Sequence, residues 1–109
     1  MRDLNSVLIE GTLEGNPVSS GEGTAGFTVL TRRAVEGKIS GKLEWEATRV
    51  GITAGSAKVA EICMGKGKKG RGVRVVGRLV EAETGGLCVE AEHAEFRPGH
   101  KKPNSTKRK

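Results

Sequence analysis

Short runs of alternating apolar and polar residues, separated by glycine-rich stretches, constrain the fold of this chain more than any other feature. Alternation of this kind is typical of strands with one buried face. The runs recur five times, and turn-forming residues stand between them. The predicted strands are residues 6–14, 27–32, 45–52, 73–80 and 87–96. The sequence therefore predicts an all-β fold, with a hairpin tip at residues 34–42 and a bend or bulge at Gly11.

One segment departs from the alternation. In residues 56–63 the apolar side chains of Val59, Ile62 and Cys63 lie three and four positions apart, which is the spacing of one helical face. Ser56 stands where an N-cap is needed, and glycines from Gly65 onward are predicted to end the helix. Five strands with one short helix between the third and fourth follow the order of an OB-fold, a five-stranded Greek-key barrel.

The charge of the chain is distributed unevenly. The 109 residues carry a net charge of +6, and 35% of them are hydrophobic, which suits one small domain. Residues 97–109 contain six Lys/Arg and no acid, which equals the whole excess. We predict a domain over residues 1–97 and a disordered basic tail over residues 98–109. The tail would hold phosphates, bind an acidic protein segment, or act only as a solubilising extension.

The densest basic segment follows the predicted helix. Residues 65–80 contain six Lys/Arg and no acid, first in a glycine-rich loop and then along a strand. Charge of one sign over this length favours an extended anionic ligand. The alternative is a solvated hairpin that keeps a sheet edge soluble. The candidate phosphate contacts here are Lys66, Lys68, Lys69, Arg71, Arg74 and Arg78.

A second set of candidates lies on the second and third strands, which form the ligand-binding face of OB-folds. Trp45 is the candidate base-stacking platform, and the alternative is that it packs beneath the hairpin. Phe27 is in register with Val29 and is predicted to be core, as is Phe96. The basic candidates of this set are Arg32, Arg33, Lys38, Lys42 and Arg49.

Several segments together resemble the bacterial single-stranded DNA-binding protein family, the homotetrameric OB-fold type. Residues 4–13 are similar to its first strand, 27–32 to its second, and 91–97 to its closing strand. Residues 58–63 resemble its helix, and a Lys-Gly-rich turn and residues 73–79 follow as in the family. The resemblance implies sequence-nonspecific binding and protection of single-stranded DNA in replication, repair or recombination. It also implies a homo-oligomer, a tetramer or dimer, that pairs through exposed first strands.

The chain departs from this family at its aromatic positions and its C-terminus. The sequence contains three aromatic residues, and stretches 47–51 and 54–56, where the family commonly has aromatics, contain none. The family ends in an acidic partner-recruiting peptide, whereas residues 107–109 read Lys-Arg-Lys. An alternative is therefore an OB-fold protein–protein adaptor that has lost most base-stacking residues. RNA remains a further possible ligand, because lysines contact phosphates of either polymer.

The sequence supports neither a catalytic site nor a metal site. Gly65-x-Gly-x-x-Gly70 matches a dinucleotide fingerprint, but a helix precedes it and a strand follows, which is the reverse of the required order. Cys63, Cys88 and the two histidines lack zinc-ligand spacing. We expect no enzyme, cofactor, metal or small-molecule substrate. With two cysteines, no signal peptide and no membrane-length apolar run, we expect a cytosolic protein with reduced thiols.

Overall fold

Five strands form a closed barrel in the computed structural model, which describes residues 3–37 and 41–98. Around the barrel the strand order is β1-β2-β3-β5-β4; β3 and β5 run parallel, and the other neighbouring pairs run antiparallel. The predicted OB-fold, with one helix between the third and fourth strands, is confirmed. The elements are β1 Val7–Leu13, β2 Gly26–Glu36, β3 Leu43–Ala54, α1 Ala57–Lys66, β4 Gly72–Glu81 and β5 Leu87–Phe96.

Alternate residues of the strands fill the barrel with small β-branched side chains. Val29 and Val75 are fully buried, and Val73 and Val89 are 1% exposed. Valine suits this position because its branched side chain packs well on a pleated surface. Phe27 is buried, and its ring centroid lies 6.3 Å from that of the half-buried Phe96. The prediction that both phenylalanines serve packing is confirmed.

Helix α1 packs on the barrel through Val59, Ala60 and Cys63. The Ser56 hydroxyl accepts a hydrogen bond from the Val59 N–H at 3.2 Å, which confirms the predicted N-cap. Burial raises the pKa of the Cys63 thiol, so this side chain behaves as a small apolar core group. Neither cysteine forms a disulfide.

The helix continues further than its sequence predicts. It runs to Lys66 and includes Gly65, so of the glycines expected to end the helix Gly65 does not, and the end falls at the next one, Gly67. Gly67 is the C-cap, and its N–H donates to the Cys63 carbonyl at 2.9 Å. A side chain at Gly67 would overlap both Pro17 and that carbonyl. Close packing therefore sets the end of the helix.

The β2–β3 hairpin is also longer than predicted. Cross-strand pairing continues through Ala34–Trp45 to Glu36–Leu43, so residues 34–36 belong to β2 and not to the tip. The first seven residues of β3 are exposed, and this half of the hairpin therefore stands out from the barrel. The backbone hydrogen bonds of the ladder thus continue beyond the buried part of the barrel. Lys38 lies outside the described residues, as do residues 99–109 of the predicted tail.

Strand β1 changes partner along its length. Val7 to Thr12 pair with β4, whereas only Thr12 and Leu13 pair with β2. At Gly11, just before the change, a Cβ would overlap the carbonyl oxygen of Leu30 on β2. Gly11 therefore permits a close backbone approach, and the β1–β4 register continues through it without the predicted bulge.

A bulge lies instead between β4 and β5. Val76 pairs with His93 and Gly77 pairs with Ala91, so Glu92 is an extra residue on β5. A Cβ at the buried Gly77 would overlap the carbonyl oxygen of Glu90. The bulge therefore depends on a glycine at this position.

We predict that Gly77→Ala destabilises the fold by about 1–3 kcal/mol, the usual cost of overpacking a filled site. Denaturant unfolding of the full chain measures the effect. Gly15→Ala is the matched control, because a Cβ there meets no atom within 4 Å. Equal stability of the two variants would show that the β4–β5 bulge does not require glycine.

Candidate nucleic-acid interface

One face of the β2–β3 hairpin carries an aromatic ring, two arginines, aliphatic side chains and one acid. Successive side chains of a strand alternate between faces, so Trp45 shares a face with Leu43, Ala47 and Arg49. The register places β2 residues directly opposite them. We call this surface the stacking face; it consists of Leu30, Arg32, Ala34 and Glu36 on β2 and Leu43, Trp45, Ala47 and Arg49 on β3.

The indole of Trp45 is available to solvent. Its side chain is 75% exposed, so the alternative in which Trp45 packs beneath the hairpin is wrong. Ala34 lies directly opposite and is too small to cover the ring. Arg32 faces Ala47 and is therefore a diagonal neighbour of both Trp45 and Arg49. A flat aromatic surface with cations at its side suits a nucleobase and its phosphate.

Arg49 already holds an intramolecular anion. Its Nε contacts a carboxylate oxygen of Glu14, the residue that follows β1. The Glu14 N–H donates to the Thr28 carbonyl of β2 at 2.9 Å, which fixes this acid beside the stacking face. Arg32 has no carboxylate partner among the described residues. The two arginines of the face therefore differ in how readily they meet an external phosphate.

The other predicted cations of the hairpin do not all lie on this face. Arg33 projects from the opposite side, where its Nε lies 3.5 Å from the Glu46 carboxylate. Lys42 lies at the turn into β3, where its carbonyl accepts the Gly37 N–H at 2.7 Å. Strand alternation therefore separates Arg32 from Arg33, although the two are adjacent in sequence.

Arg74 and Arg78 lie on the outer wall formed by β1, β4 and β5, with Val76 between them. The Arg74 Nε is 3.0 Å from the Glu10 carboxylate, which also lies 3.5 Å from the Arg97 Nη2. The Arg78 Nε is 3.1 Å from the Glu90 carboxylate. Glu10 is 64 residues from Arg74 in the sequence, whereas Glu90 is 12 residues from Arg78, across the β4–β5 hairpin.

The glycine-rich loop forms a separate basic surface. Lys66, Lys68 and Lys69 are exposed and have no carboxylate partner among the described residues. Arg71 instead holds the loop, donating from Nε to the Arg97 carbonyl at 2.5 Å and from Nη1 to the Lys66 carbonyl at 2.6 Å. We call this surface the basic pole; it consists of Lys66, Lys68, Lys69, Arg71 and Arg97.

Leu43 and Glu14 contribute to the surroundings of Trp45 and Arg49 but are not among the sequence-based site candidates. Leu43 is 76% exposed two residues before Trp45, and the strand period alone would have placed it beside the indole. Glu14 carries no such signal, because its contact with Arg49 depends on the approach of β1 to β3. Among the described residues, no group of three or more His, Cys, Asp or Glu is placed to hold a metal ion. The described residues contain one helix, α1, and it is too short to span a membrane.

The barrel has close counterparts among solved structures. The Plasmodium falciparum SSB in complex with ssDNA matches with a TM-score of 0.69 at 16% identity, over 90% of this chain and 98% of that one. The small single-stranded DNA-binding protein of Streptomyces coelicolor matches with a TM-score of 0.69 at 14% identity, over 89% and 95%. The chain has the fold of single-stranded DNA-binding proteins. The resemblance inferred from sequence is confirmed at the level of the fold.

A longer protein matches over part of its length. The wild-type single-stranded DNA-binding protein from Thermus aquaticus matches with a TM-score of 0.67 at 24% identity, over 91% of this chain. The present chain spans about half of that protein, 52% of its length. No family model and no curated protein sequence matches the chain. The likeness is therefore one of fold.

Proposed function

We propose that this chain binds single-stranded DNA without sequence specificity, as a binding protein and not an enzyme, during replication, repair or recombination. The observation that carries the proposal is the exposed Trp45, placed with Arg32 and Arg49 on the strand pair that OB-folds use for ligands. The P. falciparum SSB in complex with ssDNA has the same fold, which supports this choice of ligand.

The stacking face suits a strand whose bases are unpaired. An indole stacks on any base, because every base has a π-face, and such stacking contributes about 1–3 kcal/mol per base without sequence preference. The paired bases of a duplex offer no free face to Trp45. Arg32 and Arg49 beside the ring would bind the phosphates that flank the stacked base. The chemistry therefore selects single strands and ignores their sequence.

We predict that oligo-dT quenches the emission of Trp45, the sole tryptophan. In an anisotropy titration with labelled oligo-dT, Trp45→Ala should weaken binding about 5- to 150-fold, the equivalent of about 1–3 kcal/mol. Leu43→Ala is the matched control: it removes an equally exposed side chain from the same face that cannot stack. It should change the affinity much less.

The contrary result is equally informative. If oligo-dT leaves the emission unchanged and both variants bind as the wild type does, the stacking face is not a single-strand site. The protein-adaptor function would then account better for an OB-fold with one exposed aromatic ring.

We predict that Glu14 weakens DNA binding by occupying Arg49. Glu14→Gln releases the guanidinium and removes a negative charge from the DNA path. Affinity for oligo-dT should rise about 1.4- to 5-fold, since exposed ion pairs contribute about 0.2–1 kcal/mol. The slope of log affinity against log salt should steepen by about 0.7, the value for one more phosphate on a single strand.

The matched control is Glu46→Gln, which frees Arg33 on the opposite side of the same hairpin. It should leave both quantities close to those of the wild type. A gain as large for Glu46→Gln as for Glu14→Gln would mean that overall charge, and not the Glu14–Arg49 contact, controls the affinity.

We also propose that the chain forms homo-oligomers, dimers or tetramers, through β1. Over Val7 to Glu10 this strand pairs only with β4 in the described chain, and an unpaired strand edge is a template for a second copy. Leu8 is 64% exposed on the adjoining outer wall, where it pairs in register with Val76. A copy of β1 in antiparallel register would cover both features.

We predict that Leu8→Glu lowers the molar mass that light scattering measures during gel filtration, toward that of a monomer. Leu87→Glu is the matched control, because Leu87 is 66% exposed but lies on β5, away from β1. A wild-type chain that elutes as a monomer, or equal effects of the two variants, would remove β1 as the contact.

A further inference from the structure

The basic pole is less neutralised by carboxylates than the other charged surfaces of the barrel, because among its members only Arg97 contacts one, that of Glu10. On the strands, Arg33, Arg49, Arg74 and Arg78 each contact a glutamate. At the end of α1 and in the loop after it, the ammonium groups of Lys66, Lys68 and Lys69 have no such partner among the described residues. Positive charge without a paired acid is thus concentrated on this surface of the barrel.

The loop that presents these lysines is held firmly. The Lys69 N–H donates to the Asn16 side chain at 2.8 Å, and the Gly70 N–H donates to the Leu13 carbonyl at 2.8 Å. Gly70 has a φ of 84°, the left-handed conformation that glycine adopts without strain. Together with the two donations from Arg71, these contacts fix the backbone that carries the charges. Binding here therefore orders only the side chains of the lysines.

The pole is concave and has no aromatic group. A cavity of about 460 Å³ is lined by Lys68, Lys69, Arg71 and Arg97, together with Gly70, Gly72 and Pro98, and by no acid. Among the described aromatic residues, Phe27 and Phe96 pack in the barrel and Trp45 lies on the hairpin. The pole therefore offers charge and hydrogen-bond donors to an anion but nothing on which a base would stack.

We propose that the basic pole is a second nucleic-acid site, which binds the phosphate backbone of duplex DNA, so that the protein binds junctions between single and double strands. A site that contacts only phosphates gains most from the polymer with the highest charge density. Duplex DNA carries one charge per about 1.7 Å, and each contact contributes about 0.9 to the salt slope, against about 0.7 on a single strand. The pole thus favours duplex, whereas the stacking face requires unpaired bases.

The two surfaces are close enough to act on one DNA molecule. The connection after β1 contacts both: Glu14 reaches Arg49 of the stacking face, and Asn16 holds the loop of the pole at Lys69. Residues two apart in the chain are separated by at most about 7 Å between Cα atoms. The Arg49 edge of the stacking face and the loop of the pole are thus joined by one short connection, so a single DNA molecule can contact both. Binding at one surface raises the effective concentration of DNA at the other.

The duplex-binding part of this proposal stands apart from the proposed function, and only the junction preference rests on it. The test uses the full chain and three labelled probes: oligo-dT, a blunt duplex, and the same duplex with an oligo-dT tail. The variant is Lys68→Gln combined with Lys69→Gln, which keeps the backbone contacts of the loop. Lys58→Gln, on the exposed first turn of α1, is the matched control.

We expect the tailed duplex to bind the wild type at least about tenfold more tightly than either separate probe, as linked sites do. The double variant should lose this advantage, and its salt slope on blunt duplex should fall by about 1.8, for two phosphates. Quenching of Trp45 by oligo-dT should be unchanged. Lys58→Gln should behave as the wild type.

Two results would overturn the proposal. If the double variant binds blunt and tailed duplex as the wild type does, the duplex contact lies elsewhere, with the basic tail as the next candidate. If it loses oligo-dT and duplex affinity equally, the pole belongs to the single-strand path. A wild type that fails to quench with oligo-dT but binds duplex through Lys68 and Lys69 would contradict the proposed function and leave the duplex site standing.

Discussion

Closure of the barrel by the parallel pairing of β3 with β5 is the contact on which the rest of the structure depends. Three residue pairs form it, from Ile52–Val89 to Ala54–Ala91. Ile52, Val89 and Ala91 are almost completely buried, so the closing strands also supply the core. Because β3 is held at this end, its free half projects with β2 and exposes both of its faces. The presentation of Trp45 is therefore a consequence of how the barrel closes.

Charge follows a different principle from the core. Strand arginines and glutamates that are distant in sequence become neighbours across the sheet, as Glu10 and Arg74 do. Each such exposed pair contributes little to stability, about 0–1 kcal/mol, but it cancels the field at its position. Among the described residues, the cations without a carboxylate partner include Arg32 and the three lysines of the pole. The pattern of pairing, more than the net charge, determines where an anion is attracted.

The fold was largely predictable from the sequence because its signals are local. Alternation located five strands, helical spacing and Ser56 located α1, and the register of Phe27 with Val29 identified a core position. The glycine run after the helix located its end only approximately, because one contact that favours glycine at Gly67 involves Pro17, which is fifty residues away. The bulge at Gly77 was missed for the same reason, since it depends on the backbone of Glu90 across the sheet.

The candidate site was only partly predictable. Trp45 and its basic neighbours could be named from residue type, and the strand period separates Arg32 from Arg33 once the register is known. Glu14 and Glu10 could not be found as neutralising partners, because they meet their arginines only through tertiary approach. Glu90 lies opposite Arg78 across the β4–β5 hairpin, and its pairing required the strand register. The six cations of residues 65–80 thus have three different surroundings in the structure. Arg74 and Arg78 pair with glutamates, and Arg71 donates to backbone carbonyls. The three lysines have no carboxylate partner among the described residues.

One aromatic ring sets a limit on how the stacking face can work. A single stacked base contributes about 1–3 kcal/mol, whereas micromolar affinity requires about 8 kcal/mol. The remainder must come from phosphates, and binding that depends on phosphates weakens steeply as salt rises. Repeating the same face in an oligomer adds stacked bases without adding aromatic residues to the chain, since linked sites act at high effective concentration. In the proposed function, the affinity of a barrel with one exposed tryptophan therefore depends more on self-association than that of a barrel with several. The free edge of β1 and the sparse aromatic content of the chain are connected in this way.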